Sequence, residues 1–575
     1  MAIEVRVVAN ADEATVVWQS DSRIGDCRGF ALLREGREPS GVTVESILHT
    51  SVGFADQKPH PPPGTFRPST EWPIQRFLWS DYDAERFDQV RYRVVPIIGR
   101  AGALQRAPEN QQSDWSAWAR ATTGQTPGLN AYFNRGIVAA QWLRRRLAVP
   151  ASEERKALKD VISDPTSKIR EFLAGQDRVA LLALLDEAEA SRQQIYAALY
   201  ELNDPELIPR LKALGERCNL VLANGAFSAT TPDENLDASN DLAASEVALH
   251  RRLVGSGHFA HNKFVVVCDH EGKPLRVWTG STNWTVTGLC TQANNALLID
   301  DQTVARAFLD YWNRLLAAGD DYPPELADTD STPMITNVGS SHVTTWLTPV
   351  RKKVDLADAR TLINGARQGI LFLMFNPGPK ETLFDDILAR RDAGVFVHGV
   401  INQDPGGRQT PKVLLLDRGK ELPSDPGVIL PANVSEDFGF WEQELRSYSL
   451  AMVHSKVIVI DPFGAHPVVM TGSHNMGPKA SAKNDDNLVL IENAPGLAGE
   501  YAVNVLSIYS QYKWRFNMLP KPSTRSTVKG AKPKQSSARR WQGLRDDDTW
   551  QDDFFSGPRV RELDFWFGRL ASPPG

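Results

Sequence analysis

Two hydrophobic rhythms divide the chain. Up to about residue 122, short runs alternate apolar and polar side chains (EVRVVA, ATVVWQ, GFALLRE, VRYRVVPII, WSAWARATT), broken by Gly, Pro, Asp and Asn. Period-two alternation predicts half-buried strands, and closely spaced short strands predict a small all-β sandwich over residues 1–122. Residues 53–75 (GFADQKPHPPPGTFRPSTEWPIQ) are too rich in proline for a central strand and are expected as a long loop. From residue 129 the rhythm changes. LNAYFNRGIVAAQWLRRRLA is expected as an amphipathic helix, and beyond it helical stretches alternate with short apolar strands, the pattern of an α/β fold.

That second pattern occurs twice. AEASRQQIYAALYELNDPELIPRLKALGERCNLVLANG (188–225) parallels RTLINGARQGILFLMFNPGPKETLFDDILARRDAGVFVHGVIN (360–402), each reading as helix, strand, loop, helix, strand. A variable insertion follows in each copy (226–257 and 403–450), and then a stronger match: HNKFVVVCD, RVWTGSTNW and NNALLID against HSKVIVIDP, PVVMTGSHNM and DDNLVLIE. The offset is 193 residues at the histidines (261 and 454) and 192 at the glycines (280 and 472). Two long copies are the wrong number and period for a solenoid, so the reading is a duplicated lobe. The expected boundaries are 1–122 for the sandwich, 123–325 and 326–517 for the lobes, and 518–575 for a polar, basic tether with an acidic, aromatic tail.

Composition changes the picture little. With 575 residues the chain exceeds one hydrophobic core. The net charge of -6 gives no global attraction to nucleic acid or anionic lipid. No basic stretch followed by an apolar run opens the chain, and no apolar run is long enough to cross a membrane. The four cysteines (27, 218, 268, 290) show no metal-type spacing and suit reduced thiols in a cytoplasmic protein.

The chemistry sits in the repeat. His261 and Lys263 stand two apart on what reads as a strand, so they share a face; Ser281 and Asn283 follow another apolar run, with Gly280 before them. His454, Lys456, Ser473 and Asn475, with Gly472, repeat the set. Phosphodiester cleavage uses such a set taken twice. Lysines and asparagines neutralise the non-bridging oxygens, one imidazole attacks phosphorus, and the other moves protons. No metal or other cofactor is needed for that scheme. Each motif alone is common by chance; the ordered pair, repeated at matching spacing, is not.

The doubled HxK and GSxN pattern resembles the phospholipase D superfamily over about residues 125–516. The placement of Trp and Tyr in the N-terminal strands resembles a fibronectin type III module. The first resemblance implies two similar α/β lobes packed around one pseudo-twofold active site, complete in a monomer. It implies His261 and His454 as the catalytic pair, with His261 the nucleophile and His454 the acid/base. It implies Lys263, Lys456, Asn283 and Asn475 as phosphate ligands, and Ser281 and Ser473 as supporting residues. Two departures stand out. The family's motif aspartate is Asp461 in copy two, but Cys268 holds that place in copy one and Asp269 comes one residue late. The acidic residue that steadies the histidine is Asp486 in copy two and Asn294 in copy one, so the two histidines are expected to have different tasks. The activity implied is hydrolysis, or transfer to an alcohol, at phospholipid phosphodiesters through a phosphohistidine without metal, with peripheral membrane contact. A nuclease acting on a DNA or RNA backbone is the alternative, using the basic tether residues Lys529, Lys532, Lys534, Arg539 and Arg540.

Overall fold

The computed structural model describes all residues except 1, 60, 63, 137–142, 144–145, 148–152, 228–232, 403–427, 430–451, 518–542, 558 and 572–575. The insertion expected at 403–450, apart from Val428–Ile429, and the basic tether residues therefore lie outside the described residues. The described chain forms two compact units, one of Met1–Thr123 with Tyr512–Ala571, the other spanning 124–511.

The first unit is built on β-structure. Ile3–Ala9, Ala14–Ser20 and Leu78–Asp81 form a three-stranded antiparallel sheet. Cys27–Arg37 and Gln89–Arg100 centre a five-stranded one. Trp18 of one sheet meets Phe30 of the other edge-on, with ring centroids 5.4 Å apart, and Phe77 lies 5.1 Å from Phe30. The aromatic tail folds onto this core. The Trp550 ring lies 5.8 Å from Phe30, and its Nε1 donates to the Cys27 carbonyl at 3.0 Å.

The second unit holds the two lobes. In lobe one the elements include β1 (Leu129–Phe133), α1 (Lys168–Ala190), β2 (Gln194–Leu199), α2 (Leu207–Leu214), β3 (Cys218–Ala223), β4 (Ala248–Arg252), β5 (Phe259–Ala260), β6 (Lys263–Cys268), β7 (Pro274–Gly280), β8 (Gln292–Ala293), β9 (Asn295–Ile299) and α3 (Gln302–Ala318). Lobe two has β10 (Met334–Val338), β11 (Ser341–Thr348), α4 (Val354–Asn364), β12 (Gly369–Met374), α5 (Leu383–Asp392), β13 (Phe396–Ile401), β14 (Val428–Ile429), β15 (Met452–Val453), β16 (Val457–Ile460), β17 (Val468–Gly472), β18 (Asn484–Glu492) and α6 (Pro495–Asn517). The sheet of lobe one runs β1-β9-β7-β6-β2-β3-β4, and that of lobe two runs β10-β11-β18-β17-β16-β12-β13-β14. Each is mixed: β2, β3 and β4 are parallel, as are β12, β13 and β14, and the other neighbours are antiparallel. The central strands β6, β12 and β16 are buried along their whole length, which is why they read as unbroken apolar runs.

One expected element is corrected. The amphipathic helix does not start at 129: Leu143, Arg146 and Leu147 are helical, with 137–142, 144–145 and 148 outside the described residues, whereas Leu129–Phe133 is β1, an edge strand antiparallel to β9. Its five residues alternate buried and half-buried, a period of two that a longer apolar pattern concealed.

The lobes interlock through two short strands. β5 of lobe one pairs with β18 of lobe two, and β8 of lobe one pairs with β15 of lobe two. The backbone bonds there are matched: His261 N–H donates to the Asp485 carbonyl and His454 N–H to the Ala293 carbonyl, both at 2.9 Å. A buried ion pair, Arg252 to Asp485 at 2.6 Å, also crosses between the lobes.

Candidate active site

His261 was expected on the same strand as Lys263. It instead lies with Asn262 in the break between β5 and β6. The cause is a change of sheet: β5 pairs with lobe two, whereas β6 pairs with β2 in lobe one, so the ladder is interrupted at the histidine. His454 sits in the equivalent break between β15 and β16. Both imidazoles thus project at the seam where the lobes meet.

The support of each ring comes from the other lobe. His261 Nδ1 lies 2.8 Å from Asp486 Oδ1, and His454 Nδ1 lies 2.9 Å from Asn294 Oδ1 and 3.1 Å from the Ser281 carbonyl. Since all these partners accept, Nδ1 carries the hydrogen in both rings and Nε2 keeps its lone pair. Ser473 Oγ donates to Asp486 at 2.6 Å and Ser281 Oγ to Asn294 at 2.8 Å, so the serines hold the residues that hold the histidines. Gly280 and Gly472 let the strands carrying these turns pass close to their neighbours. A Cβ at either would lie 2.3 Å from the Asn295 or Asn487 carbonyl oxygen, and φ is +149° and +139°.

Aromatic residues just after β2 and β12 back the site. Tyr200 lies 4.7 Å from the His261 ring, with Lys263 Nζ 4.7 Å above it; Phe375 lies 4.7 Å from the His454 ring, with Lys456 Nζ 5.0 Å above it. Lys263 Nζ donates to the His261 carbonyl at 2.5 Å, and Lys456 Nζ to the His454 carbonyl at 2.6 Å. There the symmetry ends, because Lys456 Nζ also reaches His454 Nε2 at 3.0 Å. Among the described residues no hydrogen bond occupies His261 Nε2.

Burial dominates the electrostatics. It pulls His261 down to about 4, with Lys263 adding to the effect and Asp486 opposing it, so the ring is neutral at neutral pH. Burial and the neighbouring Lys456 and Lys263 hold His454 well below the ordinary histidine range. Lys263 is pulled down to about 7 by burial, against Asp486 and Glu201, and Lys456 is also depressed by burial and by Lys263. Burial alone would raise Asp486, but His261 beside it keeps it below the usual carboxylate value. Two buried, depressed lysines stand beside two neutral imidazoles, and an anion bound next to them would restore the lysine charges.

The remaining predicted residues are placed as follows. Asn283 and Asn475 end the GSxN turns, each with a buried amide oxygen that finds no hydrogen-bond partner among the described residues. Asp461 accepts from the backbone N–H of Arg367, Gln368 and Gly369 at 2.7–2.8 Å and so fixes the start of β12. In lobe one Cys268 is buried, and Asp269 accepts from the backbone N–H of Glu271 and Lys273 in its own turn. His258 donates to the Lys483 carbonyl and stacks on Tyr322. Trp284 is fully buried. Among the described residues, no three His, Cys, Asp or Glu side chains converge as a metal-ligand set.

Sequence reasoning missed Glu201. Its Oε2 accepts from Asn283 Nδ2 at 2.7 Å, and burial with the nearby Glu234 pushes it up to about 7, against Lys263 and Lys456. The repeat carried the signal: Tyr200–Glu201 follows β2 as Phe375–Asn376 follows β12, so lobe one has a carboxylate where lobe two has an amide.

The lobes match the family model described as "Cardiolipin synthase, PLD-like domain" over residues 181–316 and 359–509. Among solved structures the chain is similar to phosphatidylserine synthase of Haemophilus influenzae Rd KW20 (11% identity, 60% of this chain and 85% of that one, TM-score 0.40). It is similar to polyphosphate kinase of Porphyromonas gingivalis (10%, 93% and 80%, TM-score 0.39). It is also similar to the phospholipase D family member Nuc of Salmonella typhimurium (23%, 25% and 90%, TM-score 0.21). No curated protein matches. The fibronectin type III resemblance of the N-terminal strands finds no support among these matches.

Proposed function

The chain belongs, through both of its lobes, to the phospholipase D superfamily, and on that premise we propose that it is a phosphodiesterase acting on phospholipids through a phosphohistidine on His261. The observation that carries the assignment of roles is the crossed and unequal support of the two rings, His261 by the Asp486 carboxylate and His454 by the Asn294 amide. A carboxylate on Nδ1 stabilises the positive charge that an imidazole gains when its Nε2 bonds to phosphorus. An amide gives less of that stabilisation, which suits a ring that gains and loses a proton.

In the first step the lone pair of His261 Nε2 forms the N–P bond, the P–O bond to the alcohol breaks, and the departing oxygen takes a proton from His454 Nε2, which receives it from Lys456 and passes it back after the second step. Lys456 Nζ, 3.0 Å from that nitrogen, is placed to supply its proton. In the second step His454 takes a proton from water, the water oxygen bonds to phosphorus, and the N–P bond breaks. The products are the alcohol and a phosphomonoester; an alcohol in place of water gives a new diester. Lys263, Lys456, Asn283 and Asn475 face the non-bridging oxygens, where negative charge grows. Two half-sites in one chain and the cardiolipin synthase description of the matching family favour a lipid substrate.

The purified protein is to be incubated, without and with EDTA, in parallel with phosphatidylcholine vesicles and with single- and double-stranded DNA. Headgroup release without DNA cutting is expected. DNA cutting without headgroup release makes the protein a nuclease, and loss of whichever activity occurs on adding EDTA removes the metal-free scheme. Acid-quenched mass spectrometry should find phosphate on the His261 peptide; phosphate on the His454 peptide reverses the roles. The His454→Ala protein should keep less than about a hundredth of the rate.

A further inference from the structure

A carboxylate beside a phosphate cradle repels the substrate, so Glu201 needs a role that outweighs that cost. Its place is fixed from several sides. Trp284 N–H donates to the Glu201 carbonyl at 3.2 Å, Asn203 N–H donates to the Trp284 carbonyl at 3.1 Å, and Leu202 and Trp284 form a β-bridge. The buried Asn235 side chain donates to the Tyr200 carbonyl at 2.8 Å and accepts from Leu202 N–H at 2.9 Å. The loop after β2 is thereby tied to the GSxN turn of its own lobe, and the Glu201 carboxylate meets Asn283.

That contact settles the orientation of an amide the site needs. Among the described residues the buried Asn283 Oδ1 has no hydrogen-bond partner, so the 2.7 Å bond from Nδ2 to Glu201 is what holds the amide plane. An amide nitrogen carries two hydrogens at a fixed angle. With one held by Glu201, the other keeps a set direction. Lobe two is built differently. Asn376, at the matching position, is exposed and accepts from its own loop at Gly378 N–H, 3.3 Å away. Among the described residues Asn475 has no corresponding carboxylate.

We propose that Glu201 is a positioning residue acting through Asn283, aiming the second amide N–H at a non-bridging oxygen of the substrate and giving lobe one a pre-set oxyanion donor. The proposal rests on the phosphodiesterase reading above. The groups acting on Glu201 are Glu234, Lys263, Lys456 and Asn283; the two lysines offset the repulsion from Glu234.

The test is a double-mutant cycle on the full-length protein, reading kcat/KM for a phosphodiester and the Kd of diethyl phosphate, with melting curves for every variant. Glu201→Ala should lower kcat/KM by about tenfold or more, as expected for a misaligned transition-state donor. Glu201→Gln keeps an acceptor for Asn283 and should stay within about threefold of the parent. The Glu201→Ala/Asn283→Ala protein should be no slower than Asn283→Ala alone, because one change already removes what the other would. A double mutant that shows the product of the two single losses would mean that Glu201 meets the substrate directly, and a Glu201→Gln protein as slow as Glu201→Ala would mean that charge, not alignment, matters; either overturns the proposal. If the parent cleaves no diester, the functional reading fails, and the same cycle on diethyl phosphate affinity then decides the Glu201–Asn283 link on its own.

Discussion

At the residue scale, two chemically identical rings differ because of what stands behind them. With His261 held to about 4 and Lys263 to about 7, the free enzyme has its nucleophile and one cradle charge together only between those values. Below about 4 the His261 lone pair is lost to a proton, and above about 7 Lys263 loses the proton that attracts phosphate. The kcat/KM profile for a diester of constant charge should therefore rise through about 4 and fall through about 7. The alkaline limb of kcat should lie higher, because bound phosphate raises the lysine. A profile flat from pH 6 to 9 would contradict this picture. Asn294→Asp should raise the His454 titration, since a carboxylate on Nδ1 favours the charged ring. The same change should cost roughly 1–3 kcal/mol, because Asn294 Nδ2 now donates to the Gly288 carbonyl at 2.8 Å and an aspartate oxygen cannot. Chemical-shift titration of His454 and urea unfolding read the two effects.

At the element scale, the site depends on strands that leave their own sheet. β5 and β8 of lobe one, short as they are, pair with β18 and β15 of lobe two, and the histidines stand where those pairings begin or end. The next elements must pass close behind. Thr279 Oγ1 donates to Asn487 Oδ1 and Asn295 Nδ2 donates to Thr471 Oγ1, both at 2.7 Å, so each glycine-ended strand is also bonded to the other lobe. A methyl group at Gly472 would strike the Asn487 carbonyl and meet a φ of +139°. Gly472→Ala should destabilise the protein by roughly 2–4 kcal/mol, the range of buried clashes with backbone strain. A denaturation midpoint unchanged from the parent would show that β17 can move away.

At the scale of the whole molecule, the C-terminal segment completes the β-rich unit. Trp550 lies against Phe30 and Phe77, and Phe554 lies 5.0 Å from Phe77. Arg23 pairs with Asp548 and Asp552, and Arg28 with Asp546, so the acidic character of the tail also finds a counterpart in the N-terminal strands. Trp550→Ala removes a buried indole and its bond to the Cys27 carbonyl, and should cost about 3–5 kcal/mol. A thermal melt followed by near-ultraviolet circular dichroism should show the loss; an unaltered melt would mean the tail is dispensable to the core.

The duplication, the mixed α/β elements of each lobe and the GSxN turns are legible in the sequence. Each follows from spacing along the chain: two residues per strand repeat, an apolar run per buried strand, one motif per copy. The exchange of partners between lobes is not legible. His261 and Asp486 are 225 positions apart, and nothing in the local pattern says whether Asp486 serves the histidine of its own copy or of the other. Long-range packing alone decides that, as it decides that Leu129–Phe133 is an edge strand, that the tail docks, and that Glu201 reaches Asn283 from 82 positions away. Periodicity encodes which way a side chain points from its own element; the neighbour it meets is fixed only when separate elements pack together.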